Sequence, residues 1–198
     1  MKQPGFTTSL FDCDDSSSLK LETGSRFVRK LPDERSLGYL HKFYAPLPDG
    51  SDIALLRRLP KDYVDFLKWA NGAALFDNCI ALFGYVEMIT RDTAPGAATA
   101  ISISNENELF ALMQRKRWDE GWTLIGGLGG WDSSYDLQVN GDGRCAIVAQ
   151  EATCTSSSFN ECMATIVNRL TPCFSCDGRI DNSYAELEAA LSSILRPQ

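Results

Sequence analysis

The stretch that decides the fold runs from residue 122 to residue 148 and reads WTLIGGLGGWDSSYDLQVNGDGRCAIV. Its short runs of β-branched and aromatic residues predict strands at residues 122–125, 135–139 and 145–148. The turn Asn140-Gly141-Asp142-Gly143 joins the last two as a hairpin, because asparagine and glycine readily adopt the backbone angles of tight turns. A further strand is predicted at residues 80–85. Neighbouring strands joined by a hairpin predict antiparallel pairing.

Helices are predicted on both sides of this strand run. The clearest covers residues 60–70, where Tyr63, Phe66 and Leu67 recur on one helical face. Pro60 suits its first turn, and Asn71-Gly72 is typical of a helix end. The fold class predicted is therefore α+β, with an antiparallel-rich central sheet flanked by helices, because no strand-helix alternation requires a parallel sheet.

Capping patterns predict further helices. Asn105 with Glu108 opens one whose Leu109, Leu112 and Met113 are expected to face inward. Further helices are predicted over residues 37–44, shortly after Ser51, over residues 158–170 and from Ser183 onward.

The polar tract at residues 12–18 lacks apolar periodicity. Residues 1–30 are therefore expected to form a loosely ordered N-terminal extension that adds little to the core. Residues 31–198 are expected to form one domain with a C-terminal helical extension, since 198 residues is an ordinary size for one domain.

Charge and composition narrow the classes of partner. The formal net charge is −7, which disfavours nucleic acid, because phosphate binding requires clustered Lys and Arg. The same charge would attract a basic protein. The N-terminus lacks the apolar stretch of a secretory signal and no run is long enough to span a membrane, so a cytoplasmic location without membrane association is expected.

The candidate catalytic and metal-binding motifs are weak. His41 is the only histidine, and its flanks favour a surface or satisfied structural role over that of a catalytic base. The pair Cys173 and Cys176 has the spacing of a redox or half-zinc motif, but the strand and helix of a redox site are missing around it. A zinc site would require two more ligands, with Cys154 and Cys162 as the candidates. No metal and no cofactor are predicted.

Glycine-rich and acidic residues leave two more alternatives open. Residues 126–130 are glycine-rich, but no Lys-Ser/Thr follows them, so a structural loop is favoured over a phosphate cradle. A carboxylate-based hydrolase would draw its pair from Asp132, Asp136 and Asp142. Strand alternation places Leu137 inward, and Asp136 with Gln138 on the opposite, solvent-facing side.

Several blocks follow one another in a characteristic order: residues 59–67, Asn71-Gly72, Leu82-Phe83-Gly84, Trp122, Ile125-Gly126, Tyr135-Asp136-Leu137, Gly141, Gly143 and Ser158-Phe159. Taken in this order, they resemble the SUKH superfamily, which includes regulators of cell-wall assembly and bacterial immunity proteins. The resemblance covers about residues 51–170, whereas residues 1–50 and the segment after Pro172 have no assigned counterpart. This resemblance implies a helix-flanked antiparallel sheet and a protein that binds and neutralises a polymorphic toxin.

The predicted function is accordingly a non-catalytic protein-binding module of the immunity type. An acidic loop and hairpin that carry an aromatic anchor suit an interface, and the residues assigned to partner binding are Trp131, Asp132, Tyr135, Asp136 and Asp142. For these residues, the alternative is a solvated sheet face with Trp131 packed beneath it. For the function, the alternatives are a regulatory scaffold that binds host proteins and the carboxylate hydrolase.

Overall fold

The computed structural model describes residues 3–11, 18–31, 38–48, 53–86, 100–112, 121–129, 135–149, 153–174 and 184–194. Within them the strands are β1 (Leu19–Lys20), β2 (Arg26–Lys30), β3 (Tyr39–Phe43), β4 (Ala73–Leu75), β5 (Ile80–Leu82), β6 (Trp122–Leu128), β7 (Tyr135–Asn140), β8 (Cys145–Val148) and β9 (Thr153–Ser156). The α-helices are α1 (Lys61–Trp69), α2 (Ile103–Leu112), α3 (Phe159–Leu170) and α4 (Tyr184–Ile194), and 3₁₀ helices cover Gly5–Leu10, Ala54–Arg58 and Thr171–Cys173.

The nine strands of the described residues form one sheet in which each strand pairs antiparallel with the next in chain order, from β1 to β9. The hairpin predicted between β7 and β8 is present, with Val139 opposite Cys145 and the Asn140 N–H donating to the carbonyl of Arg144. Gly143 takes a φ of 92° in that turn, which only glycine adopts without strain. The predicted α+β class, a sheet flanked by helices, is confirmed.

Helix α1 begins and ends within one residue of its predicted bounds, with Pro60 as its N-cap, and it has the inner face that its periodicity predicts. Tyr63, Phe66 and Leu67 are fully buried. The hydroxyl of Tyr63 lies 2.6 Å from the carbonyl oxygen of Phe83 and 3.2 Å from that of Ile125. This hydroxyl joins the helix to two neighbouring segments of the sheet region, so α1 is held by a polar contact as well as by packing.

Helix α3 lies over the same core and begins where its capping pattern predicts. The side chain of Ser158 accepts a hydrogen bond from the Glu161 N–H at 3.2 Å, which satisfies one of the free donors of the first turn. Phe159 then packs against Tyr63 of α1, with ring centroids 4.8 Å apart and nearly perpendicular. The two helices therefore share one aromatic core.

The N-terminal segment is part of the fold, which corrects the expectation of a loose extension. Phe6 and Leu10 of the first 3₁₀ helix are buried in the main core, and the Phe6 ring lies 5.7 Å from that of Phe159. Strand β2 pairs with β3 over most of its length. The described residues among positions 1–30 therefore bury apolar surface and complete one edge of the sheet.

The helix predicted over residues 37–44 is wrong, because residues 39–43 form strand β3. This strand is internal to the sheet, paired with β2 on one side and β4 on the other. Tyr39, Leu40 and Phe43 are all buried. A strand covered on both faces lacks the alternation that would distinguish it from a buried helix in a short stretch.

Helix α2 is present, but it begins at Ile103, so Asn105 lies inside the helix and does not open it as predicted. Its inner face is also different. Ile103 and Phe110 are buried, whereas Leu109 and Leu112 are exposed by 50% and 78%. Met113 lies outside the described residues. In the described part of the chain, no helix is long and apolar enough to cross a membrane.

Candidate functional site

The start of β7 carries two of the residues assigned to partner binding. Tyr135 is half-buried against the core, and its hydroxyl lies 3.3 Å from the Ser192 Oγ of α4. Asp136 follows on the opposite face of the strand and is partly exposed, while Leu137 is fully buried, as alternation predicts. Trp131 and Asp132 lie outside the described residues.

Asp142 lies in the turn at the far end of β7. Its side chain is 82% exposed, 3.8 Å from the Arg144 guanidinium. At about 3.4 Å per residue, Asp136 and the last residue of β7, Asn140, are separated by about 14 Å. Asp142 lies beyond that end, so the structure does not bring Asp136 and Asp142 together. The separation also exceeds the roughly 6.5–9.5 Å that an inverting carboxylate pair requires.

Gln138 departs from the predicted pattern. It was expected on the solvent-facing side with Asp136, but it is buried. Its Nε2 has no hydrogen-bond partner within the described ranges. The outward face of β7 is therefore covered near its middle and open near Asp136, which limits any binding surface on this strand to its first residues.

Helix α2 presents an exposed apolar surface that sequence periodicity missed. Leu109 and Leu112 lie three residues apart and are 50% and 78% exposed. Residues three apart are neighbours on a helix surface. We call Leu109 and Leu112 the α2 face. The sequence did contain a signal for this arrangement. Ile103 and Phe110 are seven residues apart and share one side of the helix, so Leu109 and Leu112 fall on other sides.

The α2 face is held rigidly by Asn107. The side-chain amide of Asn107 donates to the Leu124 carbonyl at 2.9 Å, and its Oδ1 accepts from the Leu124 N–H at 3.1 Å. The same Nδ2 also lies 2.7 Å from the Ile103 carbonyl oxygen. Asn107 therefore pairs with β6 as a strand residue would, and it fixes α2 against the sheet while Leu109 and Leu112 remain exposed.

His41 has a structural role. It is buried in β3, its Nδ1 accepts a hydrogen bond from the Phe76 N–H at 3.3 Å, and its ring lies edge-on to that of Phe76. Burial, assisted by the positive charge of Arg29, lowers the pKa of His41 to about 3. The imidazole is therefore neutral at pH 7 and packed in the core, where it has the satisfied role that its sequence context favours.

The described cysteines are free thiols: Cys79, Cys145, Cys154, Cys162 and Cys173. A hydrogen bond with Cys162 and burial hold the pKa of Cys145 well above its usual range. Burial also raises the pKa of Cys173, and Cys176 lies outside the described residues. Raised pKa values disfavour the reactive thiolate. Among the residues that the structure describes, no group of three or more His, Cys, Asp or Glu side chains could hold a metal ion.

The glycines of residues 126–129 serve packing and backbone geometry. Gly126 lies inside β6, opposite Leu82, and a Cβ there would come within 2.3 Å of the Ala81 carbonyl oxygen. Gly129 follows the strand with a φ of 110°. The structural interpretation is confirmed for these two glycines, although Gly126 and Gly127 belong to a strand and not to a loop.

No family model, no curated protein and no solved structure matches this chain. The resemblance to the SUKH superfamily therefore stays a prediction.

Proposed function

We propose that this protein is a binding module of the immunity type, which acts by covering the surface of a toxin domain and not by catalysis. The observation that carries the proposal is the α2 face, where two neighbouring leucine side chains are 50% and 78% exposed. Exposed apolar side chains grouped at one place are typical of protein interaction surfaces. Because the backbone of the helix is already ordered, a partner that covers these leucines would have to order only their side chains.

The net charge of the chain favours a basic partner. Glu108 is exposed and lies one helical turn before Leu112. The chain as a whole carries a formal charge of −7. A partner that combines an apolar contact surface with a basic rim would therefore be attracted over a distance and then oriented on contact.

The geometry of the candidate catalytic groups also supports binding over catalysis. His41 is a neutral core residue, the pKa of Cys145 is raised, and Asp136 and Asp142 lie at opposite ends of β7. Each of these groups has a structural or solvated setting that does not favour general base, nucleophile or paired-carboxylate chemistry.

The test uses the protein encoded next to this chain, because an immunity protein is made together with the toxin that it neutralises. The two proteins are co-expressed for growth measurements and titrated by calorimetry. The double variant Leu109→Glu/Leu112→Glu should weaken binding at least about 30-fold, the loss expected for two central apolar contacts. It should also abolish protection.

The matched control is Asn160→Glu/Asn168→Glu, which adds the same charge at two exposed positions of α3. It should bind and protect like the unmodified protein. If both double variants lose affinity equally, the loss is due to the added net charge and not to the α2 face. A neighbouring protein that is not toxic, or one that binds the Leu109→Glu/Leu112→Glu variant unchanged, would contradict the proposal.

The β7 residues are tested separately with Asp132→Lys/Asp136→Lys. If the interface extends from the α2 face to the acidic start of β7, this variant weakens capture of the basic partner and leaves the fold intact. Unchanged affinity would remove Asp132 and Asp136 from the interface.

A further inference from the structure

A cleft of about 600 Å³ lies between the β1–β2 hairpin, the end of α1 and the segment after β3. Its volume is within the range of small-molecule sites. The described residues that line it include the cations Lys20, Arg26 and Lys68, and they include no carboxylate. In a chain with a net charge of −7, three cations around one cleft are a local reversal of the overall charge.

Two of these cations face each other directly across the sheet. In the register of β1 and β2, Lys20 is the partner of Arg26. Residues paired in this way project from the same face, so their charges repel, and such a pair is destabilising. Among the described residues, neither side chain forms an ion pair with a carboxylate. The fold therefore maintains an unfavourable pair that an anion in the cleft would neutralise.

The position of Arg26 beside the cleft is fixed by its contacts with Trp69. Its guanidinium lies 3.9 Å from the centroid of the Trp69 ring and donates to the Trp69 carbonyl oxygen at 3.1 Å. Burial lowers the pKa of Arg26, although an arginine stays charged at neutral pH. A stacked and partly desolvated guanidinium is a stronger anion partner than a flexible exposed lysine.

The remaining wall of the cleft is apolar. Pro46 and Leu47 line it beside Trp69. Gly24, in the β1–β2 turn, has a φ of 93°, and a Cβ there would come within 3.3 Å of Pro46. The turn can therefore approach the proline closely, which brings the cationic hairpin against the apolar wall.

We propose that this cleft binds a small phosphorylated molecule, with its phosphate between Lys20, Arg26 and Lys68 and its apolar part against Pro46 and Leu47. The three cations carry more positive charge than one carboxylate would neutralise. A phosphate is a better match, because it carries up to two negative charges and offers several acceptor oxygens. A long polyanion such as a nucleic acid would be repelled by the rest of the acidic surface. This site is independent of the α2 face.

The test titrates inorganic pyrophosphate, as a probe of the phosphate subsite, into the full chain by calorimetry at low salt. We expect one site, with binding weakened at least about tenfold in Lys20→Gln/Lys68→Gln, which removes two charge-assisted contacts at exposed positions. The control Arg58→Gln/Lys61→Gln removes the same charge outside the cleft and should bind normally. Absent binding, or equal weakening in the control, would overturn the proposal. Citrate that binds as tightly as pyrophosphate would overturn the assignment to phosphate.

A second variant gives a readout that a purely structural role would not produce. Lys20→Glu replaces the repulsive pair with an attractive one across from Arg26. Without ligand it should raise the melting temperature by about 1–3 °C, and it should abolish pyrophosphate binding. A variant that is less stable and still binds pyrophosphate would contradict the assignment of Lys20 to the site. Leu109→Glu/Leu112→Glu should retain pyrophosphate binding, so failure of one proposal is distinguishable from failure of the other.

Discussion

Helices α1 and α2 differ in how they use their large side chains. Helix α1 places Tyr63, Phe66 and Leu67 fully inside the core, with the Tyr63 hydroxyl bonded to the sheet region. Helix α2 is of similar length but leaves Leu109 and Leu112 exposed and is fixed by the polar side chain of Asn107. The first helix buries all three of these large side chains, whereas the second buries Ile103 and Phe110 and leaves Leu109 and Leu112 available.

This difference shows that large apolar residues at helical spacing do not by themselves define a core face. The side that packs is the one whose residues meet the sheet, and on α2 that side carries Ile103, Asn107 and Phe110. The amide of Asn107 is satisfied by the backbone of β6, so a polar residue lies on the inner side without the cost of an unpaired buried group. Three of the four changes below test this contrast, and the other tests a polar group buried in β3.

The largest effect is expected at the centre of α1. Phe66→Ala should lower the free energy of unfolding by about 3–5 kcal/mol, because it removes a fully buried ring and leaves a cavity among aromatic neighbours. Urea unfolding followed by circular dichroism measures the change. A loss below about 1 kcal/mol would show that the core beneath α1 can collapse around the smaller side chain.

The next effect concerns the single histidine, a polar group buried as deeply as the residues of α1. The pKa of His41 is about 3 in the folded protein and about 6.5 in an unfolded chain. The unfolded state therefore binds a proton as the pH falls below 6.5 while the folded state does not, so stability is present above that pH and is lost as pH falls towards 3. Between pH 7 and pH 5 the loss from this residue should be about 2 kcal/mol.

The variant His41→Asn isolates this contribution. Its Oδ1 can accept the hydrogen bond that the Phe76 N–H donates to His41, but the side chain does not titrate. Urea unfolding at both pH values should show a shallower pH dependence than that of the unmodified protein. An unchanged slope would assign the acid sensitivity to the carboxylates.

A smaller effect is expected where Asn107 anchors α2. Asn107→Ala should lower the free energy of unfolding by about 1–2 kcal/mol, because the backbone N–H and carbonyl of Leu124 both lose their partner. Hydrogen exchange should rise locally in α2 and at Leu124. Asn105→Ala, at an exposed position of the same helix, is the control and should leave exchange at Leu124 unchanged.

The smallest effect is expected on the α2 face. Leu109→Ala/Leu112→Ala should lower the free energy of unfolding by about 1 kcal/mol or less in total, because Leu109 keeps 50% and Leu112 keeps 78% of its surface in water. Urea unfolding of this double variant and of Phe66→Ala compares exposed and buried positions directly. A large loss of stability would mean that these leucines belong to the core, and the basis of the proposed function would be removed.

The sequence predicted those parts of the fold in which local patterns and tertiary contacts agree. Helix α1, helix α3 and the β7–β8 hairpin each combine a capping or turn signal with regular periodicity, and each lies where expected. These elements satisfy their backbone groups locally, or against the next strand in the chain.

The elements that were predicted wrongly depend on contacts that lie elsewhere in the chain. Strand β3 receives its hydrogen bonds from β2 and β4, and nothing within residues 39–43 indicates that both partners will be present. The first 3₁₀ helix is too short to show a period, so burial of Phe6 becomes evident only from its contact with Phe159.

The two candidate sites were hidden from the sequence for a similar reason. The repulsive pair of Lys20 and Arg26 exists only through strand register, and Lys68 joins it from a distant helix. The α2 face depends on which side of α2 meets β6. Of the five residues assigned to partner binding, the sequence predicted the partly exposed position of Asp136 through alternation, but it gave no measure of the distance to Asp142.

The strictly sequential order of the sheet has a consequence for synthesis on the ribosome. From β2 to β9, every strand pairs with the strand made just before it, so pairing can follow translation without waiting for a distant segment. Within the residues that the structure describes, the edges of the sheet are β1 and β9, which are the first and the last of its strands to be synthesised. Strand β9 is directly followed by α3, which carries Phe159. The aromatic core around Tyr63 and Phe159 therefore closes late in synthesis.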